Sequence, residues 1–182
     1  MRRGFGRPAR PGFGAAQIPP ALRHANQLMA AGDYAGAASA FEDLAQRAEA
    51  RNGPRTPAFF MQAGRARLQM GDAAAAVGHF KHALNLLAQT KRFTWLYRAG
   101  TRTVQDLKTR GLEKEAQEIS ALVSANVPAG TVTADSPQSK SRPALPTHCP
   151  ACGGPVRSDE ADWIDDQTAE CPFCGSPVRA EQ

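Results

Sequence analysis

Between Pro20 and Asn126 the apolar residues recur at intervals of three and four, and they do so in blocks. One block reads Tyr34, Ala37, Ala38, Phe41, Leu44, Ala45, and a second reads Ala76, Val77, Phe80, Ala83, Leu84, Leu87. Positions spaced i, i+3, i+4 and i+7 share one stripe of a 3.6-residue helix, so each block predicts an amphipathic helix with one buried face. The blocks are punctuated by Ala31-Gly32-Asp33, Met70-Gly71-Asp72 and Arg110-Gly111-Leu112. Gly closes a helix in the left-handed conformation at no steric cost, and an Asp directly after it accepts from the free N–H groups of the next helix. The expected plan is therefore helix–turn–helix, with first helices over about 20–31, 57–70 and 94–110. Thr56 and Pro57 form an N-cap and N1 pair for the second of these.

The blocks also repeat. Gly recurs at 32, 71 and 111, and five residues later Ala recurs at 37, 76 and 116. Phe41 and Phe80 follow at matching positions, whereas the third unit carries Ser120 there. A small Ala suits the closest approach of two helices, and the Phe fills the space beyond it. In these residues the stretch 20–125 resembles the tetratricopeptide repeat. It departs in period, with 39 and then 40 residues between glycines in place of the family's usual 34. The excess lies around Arg51-Asn-Gly-Pro54 and Gln89-Thr-Lys-Arg92.

The resemblance implies a mainly α fold over residues 19–126, a solenoid of about three helical hairpins, which is the minimum for such an array. It also implies a concave groove, lined by the first helices, that binds a protein or peptide. Asn26, Gln62, Arg65, Arg98, Arg102 and Lys108 are expected to face or rim it. Members that grip a carboxylate use Asn and basic residues at such places; Asn26, Arg98 and Arg102 match, while Leu22 and Gln62 stand where Lys and Asn are usual. The alternative reading of these positions is an ordinary solvated helix face.

After Asn126 the helical period stops. Residues 127–147 contain Pro128, Pro137, Pro143 and Pro146 among Thr, Ser and Ala, the composition of a flexible linker. Pro143-Ala-Leu-Pro146 matches a PxxP ligand formally. The chain then gives Cys149-Pro-Ala-Cys152-Gly-Gly-Pro-Val and Cys171-Pro-Phe-Cys174-Gly-Ser-Pro-Val, which together hold all four cysteines. Two C-x-x-C pairs with eighteen residues between them match the spacing of a four-cysteine zinc site. Two cysteines three apart on a tight turn can aim both sulfurs at one ion, and two such turns complete a tetrahedron. Pro after each first Cys presets φ, and Gly after each second Cys supplies the positive φ that closes the turn.

Between the pairs, Trp163-Ile164 and Thr168-Ala-Glu170 read as two short strands joined at Asp165-Asp166-Gln167. The stretch 148–182 thus resembles a zinc ribbon. That resemblance implies one structural Zn²⁺ held by Cys149, Cys152, Cys171 and Cys174. A rubredoxin-like iron site uses similar knuckles, so zinc and iron both remain open, and a disulfide framework is the other alternative. About thirty residues bury too little apolar surface to fold unaided, so the metal must supply the stability.

Charge divides the chain along the same line. Residues 1–147 hold twenty Lys/Arg against ten Asp/Glu, and residues 148–182 hold two against seven. Residues 1–18 carry four arginines and no acid among Gly and Pro, and read as a disordered basic tail. No apolar segment follows it as in a secretory signal, and no run approaches the length of a spanning helix. Cysteines confined to one metal module fit a reducing compartment, so a cytoplasmic, non-membrane protein is expected.

A four-thiolate set leaves no open position on the metal. His79 and His82 lie one turn apart with no third ligand, His148 reads as exposed, and the acids Asp159, Glu160, Asp162, Asp165 and Asp166 lack calcium-loop spacing. With no nucleophile–base pair and no phosphate loop, the chain reads as a non-enzymatic interaction or adaptor protein. The second reading is a nucleic-acid-associated zinc-ribbon factor, supported by the basic body and opposed by the acidic ribbon. The charge split also suggests an intramolecular contact. A linker of about twenty residues has a reach of roughly 25 Å and a local concentration in the millimolar range, so the ribbon could dock on the basic groove. An acidic partner would then compete with it.

Overall fold

The computed structural model describes residues 19–128, 143–150, 153–154, 156–158, 161–163, 166–171 and 176–180. The expected basic tail at 1–18, most of the expected linker, Cys152, Cys174 and Ile164 lie outside them. The chain is mainly helical, with a small sheet near its C-terminus. The helices are α1 (Pro20–Ala31), α2 (Tyr34–Glu49), α3 (Thr56–Gln69), α4 (Ala73–Gln89), α5 (Phe93–Thr109) and α6 (Glu113–Asn126). Each helix packs on the next along the chain, most extensively α2 on α3 and α3 on α4. Among the described residues no helix is long and apolar enough to cross a membrane.

The punctuation behaves as its chemistry requires. Gly32, Gly71 and Gly111 take φ of 77°, 82° and 74°. The Gly36 N–H donates to Asp33 Oδ1 at 2.9 Å, and the Ala75 N–H donates to Asp72 Oδ1 at 3.1 Å. Ala37, Ala76 and Ala116 are fully buried, as are Phe41 and Phe80. In the third unit Ser120 is exposed and Ile119, one position earlier, is buried instead. Thr56 departs from expectation: its hydroxyl donates back to the Gly53 carbonyl at 2.8 Å and accepts nothing from the helix.

Two further turns use the same device without glycine. Asn52 and Lys91 adopt φ of 51° and 56°. After each, the next N–H reaches back five residues, Gly53 to the Ala48 carbonyl at 2.8 Å and Arg92 to the Leu87 carbonyl at 2.9 Å. This is the bond that Asp33, Asp72 and Leu112 make at the glycine turns. All five helix–helix junctions therefore close with one left-handed residue, and the long inter-repeat segments are compact turns.

The packing is not uniform along the chain. α3 lies along both α2 and α4, whereas α4 meets α5 and α6 more sparingly. Within pairs, glycine sets the approach. A Cβ on Gly64 would stand 2.5 Å from the Phe80 ring, and one on Gly100 would run into Val123. The last pair is tied to α4 by an ion pair from Lys81 to Glu118.

The sheet has the strand order β1 (Asp162–Trp163), β2 (Thr168–Glu170), β3 (Pro177–Arg179), both pairings antiparallel. Its registers are Trp163 opposite Ala169 and Ala169 opposite Val178. β2 is the expected strand, β1 overlaps the expected one at Trp163, and β3 is an addition. The packed C-terminal region also starts before the expected boundary. Leu145 is buried, its N–H donates to Ser158 Oγ at 3.1 Å, and the Val156 N–H donates to the Thr147 carbonyl at 2.9 Å. Residues 143–147 thus belong to the module and not to a linker.

Candidate metal module and helical groove

The two cysteine turns are built alike. The Cys149 N–H donates to the Gly154 carbonyl at 2.8 Å, and the Cys171 N–H donates to the Ser176 carbonyl at 2.9 Å. Each bond spans five residues, as the repeated Cys-Pro-x-Cys-Gly-x pattern requires. In the first turn the Gly153 N–H also donates to the Cys149 carbonyl at 2.8 Å, and Gly153 holds φ at 69°. That is the left-handed glycine expected directly after the second cysteine. The second turn is the loop between β2 and β3, flanked by the pair Glu170 and Pro177. Cys149 and Cys171 are both buried, as are Ala169 and Val178 of the sheet. Trp163 closes one side, its Nε1–H donating to the Ser158 carbonyl at 3.0 Å.

The residues present suit a thiolate-held metal. Each of two buried cysteines opens a turn in which its own N–H donates to a carbonyl five residues on. Cys152 and Cys174 lie outside the described residues. Among the described residues no group of three or more His, Cys, Asp or Glu side chains is placed to hold a metal ion. His148 is exposed beside Cys149, as expected.

The six groove candidates divide. Asn26 on α1, Arg65 on α3 and Arg102 on α5 are half-buried, while Arg98 and Lys108 on α5 are exposed. Gln62 departs from its expected place on the rim. It is 1% exposed, and among the described residues neither side-chain amide atom has a hydrogen-bond partner. Leu22, which stands where a clamp would need Lys, is a core residue.

An ionic cluster that the sequence reading did not anticipate joins the first two hairpins. Arg67 of α3 grips Glu42 of α2 with both arms of its guanidinium, Nε at 2.8 Å and Nη2 at 3.1 Å. His79 of α4 places Nε2 at 2.9 Å from the same carboxylate. The Arg67 hydrogen bond holds the Glu42 carboxyl below its ordinary range; burial opposes this, and the His79 hydrogen bond adds to it. His82 pairs instead with Glu49 at 2.7 Å. Phe60 lies against both imidazoles, with ring centroids 5.9 Å from His79 and 4.5 Å from His82. The histidines therefore link α4 to α2 through separate glutamates. The available signal was the placement of Glu42 and Glu49 two turns apart on one side of α2.

A basic edge is the other unanticipated feature. Arg92 donates from Nη1 to the Pro54 carbonyl at 3.2 Å, which brings the 50–55 and 90–92 turns together. Arg51, Arg55, Lys91 and Arg92 all belong to these turns, and the Arg92 guanidinium sits 5.1 Å from the Trp95 ring centroid. At this edge Arg55 Nη2 donates to Ser176 Oγ at 2.8 Å, linking the helices to the second cysteine turn. No family model matches the chain, and no curated protein or solved structure matches it either.

Proposed function

We propose that this protein is a non-catalytic adaptor of a reducing, cytoplasmic compartment: a tetratricopeptide-like array of three hairpins that binds an acidic protein or peptide, joined to a structural zinc ribbon. The observation that carries the ribbon half is the pair of equivalent turns, Cys149 to Gly154 and Cys171 to Ser176, each closed by the same five-residue hydrogen bond. Two such turns with buried leading cysteines suit one tetrahedral thiolate site, and four thiolates would leave the metal no position for a reacting water. The array half is supported by the recurring Gly turn, buried Ala and buried Phe, and by basic residues on α3 and α5.

The experiment is elemental analysis of protein purified without added metal. About one equivalent of zinc per chain is expected, and one equivalent of iron would reassign the metal. Cys171→Ser should lose it and unfold the ribbon while the helical circular dichroism stays nearly intact. A metal-free protein whose ribbon is ordered would end this reading. The basic edge with Trp95 favours a second reading, contact with a nucleic acid, since cations and an aromatic face are what a phosphate backbone and bases engage. It requires binding that weakens steeply with salt.

A further inference from the structure

Gln62 is buried on the wrong side of its helix. Gly64 packs beneath Phe80 of α4, and Arg67 reaches Glu42 of α2, so these two residues mark where α3 meets its neighbours. At 100° per residue Gln62 lies roughly 140–160° around the helix from both. Among the described residues only α2 and α4 lie along α3. The far stripe should therefore be open, as it is lower down: Arg65 is half-buried and Gln69 exposed. Yet Gln62 is 1% exposed and Met61 beside it 7%. The burial of Gln62 therefore calls for a cover besides α2 and α4.

Arg55 stands on the same stripe, seven residues before Gln62 and about 10 Å along the axis. The described contact that reaches it from outside the helices is the hydrogen bond to Ser176 Oγ, and Ser176 is itself 7% exposed. The Ser176 carbonyl also closes the second cysteine turn by accepting from Cys171. One residue thus joins the knuckle to the array. Charge agrees, because Arg55 belongs to a basic edge with Arg51, Lys91 and Arg92, and residues 148–182 hold seven acids against two bases. The unpartnered Gln62 amide fits a surface residue that another part of the chain has covered, since such a group is hydrated again when the cover leaves.

We propose that the cysteine module is docked on the array through its second knuckle, over Arg55, Met61 and Gln62, and that metal ligation holds it there. The second clause rests on the zinc reading above; the docking does not. The covered stripe belongs to the face expected to bind a partner, so the module is an internal competitor. A partner that displaces it presents carboxylates to the basic edge and an apolar side chain to Met61.

Full-length protein labelled with ¹³C-methyl methionine tests this. Met61 lies under the proposed cover, and Met70, the residue after Gln69 and 45% exposed, is the internal reference. Two interface variants, Ser176→Arg and Arg55→Ala, keep all four cysteines. Each should move the Met61 methyl signal toward the position of an exposed methyl and leave Met70 in place. Chelation of the wild type should move it the same way. If protein holding one equivalent of metal shows an unmoved Met61 in both variants and after chelation, the docking is wrong and the zinc reading stands. If the variants move Met61 but the protein as isolated holds no metal, the docking stands and the zinc reading fails. If the variants move it and stripping a measured equivalent of metal does not, the link between ligation and docking is overturned.

Discussion

The helical array and the cysteine module reach a single structure by different means. Among the largest fully buried side chains, the array contributes Phe41, Phe80, Leu22, Leu84, Leu96, Leu107, Ile119 and Gln62. The module contributes Val178, Cys149 and Cys171. Seven of the array's eight are large hydrocarbon groups, whose burial stabilises by about 1.5–3 kcal/mol each before the entropy of ordering is set against it. Two of the module's three are thiols. A region of this size with so little hydrocarbon inside does not fold on area alone, whereas structural zinc supplies on the order of 10 kcal/mol. One region is thus specified by a pattern spread over a hundred residues; on the zinc reading proposed above, the other is specified by four positions.

The sharpest way to break that comparison is to damage the array's packing and ask whether the metal notices. Phe80 fills the space over Gly64, where no Cβ fits. Phe80→Ala opens a cavity at that crossing and should cost about 3–5 kcal/mol. Urea unfolding followed by helical circular dichroism will read the loss, and metal content should be unchanged while the array remains folded. A loss below about 1 kcal/mol would show that the first two hairpins do not depend on this contact.

A smaller effect is expected where charge replaces hydrocarbon. Glu42 and Arg67 are only 21% and 30% exposed, and Glu42 also serves His79. Glu42→Gln leaves Arg67 without its bidentate acceptor and should cost roughly 1.5–3 kcal/mol at neutral pH. The Arg67 hydrogen bond is the main reason the folded-state pKa of Glu42 lies below the ordinary 4.5. A depressed carboxyl contributes stability that is full above the unfolded value and is lost as pH falls through the folded one. The gap between wild type and Glu42→Gln should therefore be constant above about pH 5.5 and narrow below 4.5. A gap that stays the same down to pH 3 would mean that the ion pair contributes nothing to folding.

How far each region could be read from its residues follows from the same contrast. Helix positions, glycine turns, Asp33 and Asp72 caps, and buried Ala and Phe were all legible, because each is dictated by neighbours within a few residues. Both first strands of the module were legible for the same reason. β3 was missed because Pro177-Val178-Arg179 is three residues long and is a strand only by pairing with β2. The repeat position of Gln62 points to the rim, yet the residue is buried; on the docking proposed above, its cover comes from residues more than a hundred positions away, beyond any local window. A local clue existed, since Pro57 to Met61 is apolar all round the helix and such a helix is covered on every side. The Glu42–Arg67–His79 cluster joins three helices, and no single window contains it. Cys152 and Cys174 rest on their spacing alone.

The left-handed turns yield the smallest prediction, and it bears on how the third hairpin is attached. Gly32, Gly71 and Gly111 pay no Cβ penalty at positive φ, and Asn52 is of a type that tolerates this region through its short polar side chain. Lys91 has neither advantage, yet it holds φ at 56° in the turn that leads from α4 to α5. The left-handed conformation costs an ordinary residue roughly 1–2 kcal/mol. Glycine removes that strain but loses more backbone entropy on folding, about 0.5–1 kcal/mol. The difference leaves Lys91→Gly more stable than wild type by roughly 0.5–1 kcal/mol. Lys91 is exposed, so trimming its side chain should itself be nearly neutral. Lys91→Ala is the control, because alanine keeps the Cβ and therefore the strain. Urea midpoints for the three proteins decide the matter: Gly above both Ala and wild type shows that this turn stores strain, and Gly level with Ala shows that it does not. Asn52→Gly, starting from a residue suited to the turn, should gain less than Lys91→Gly.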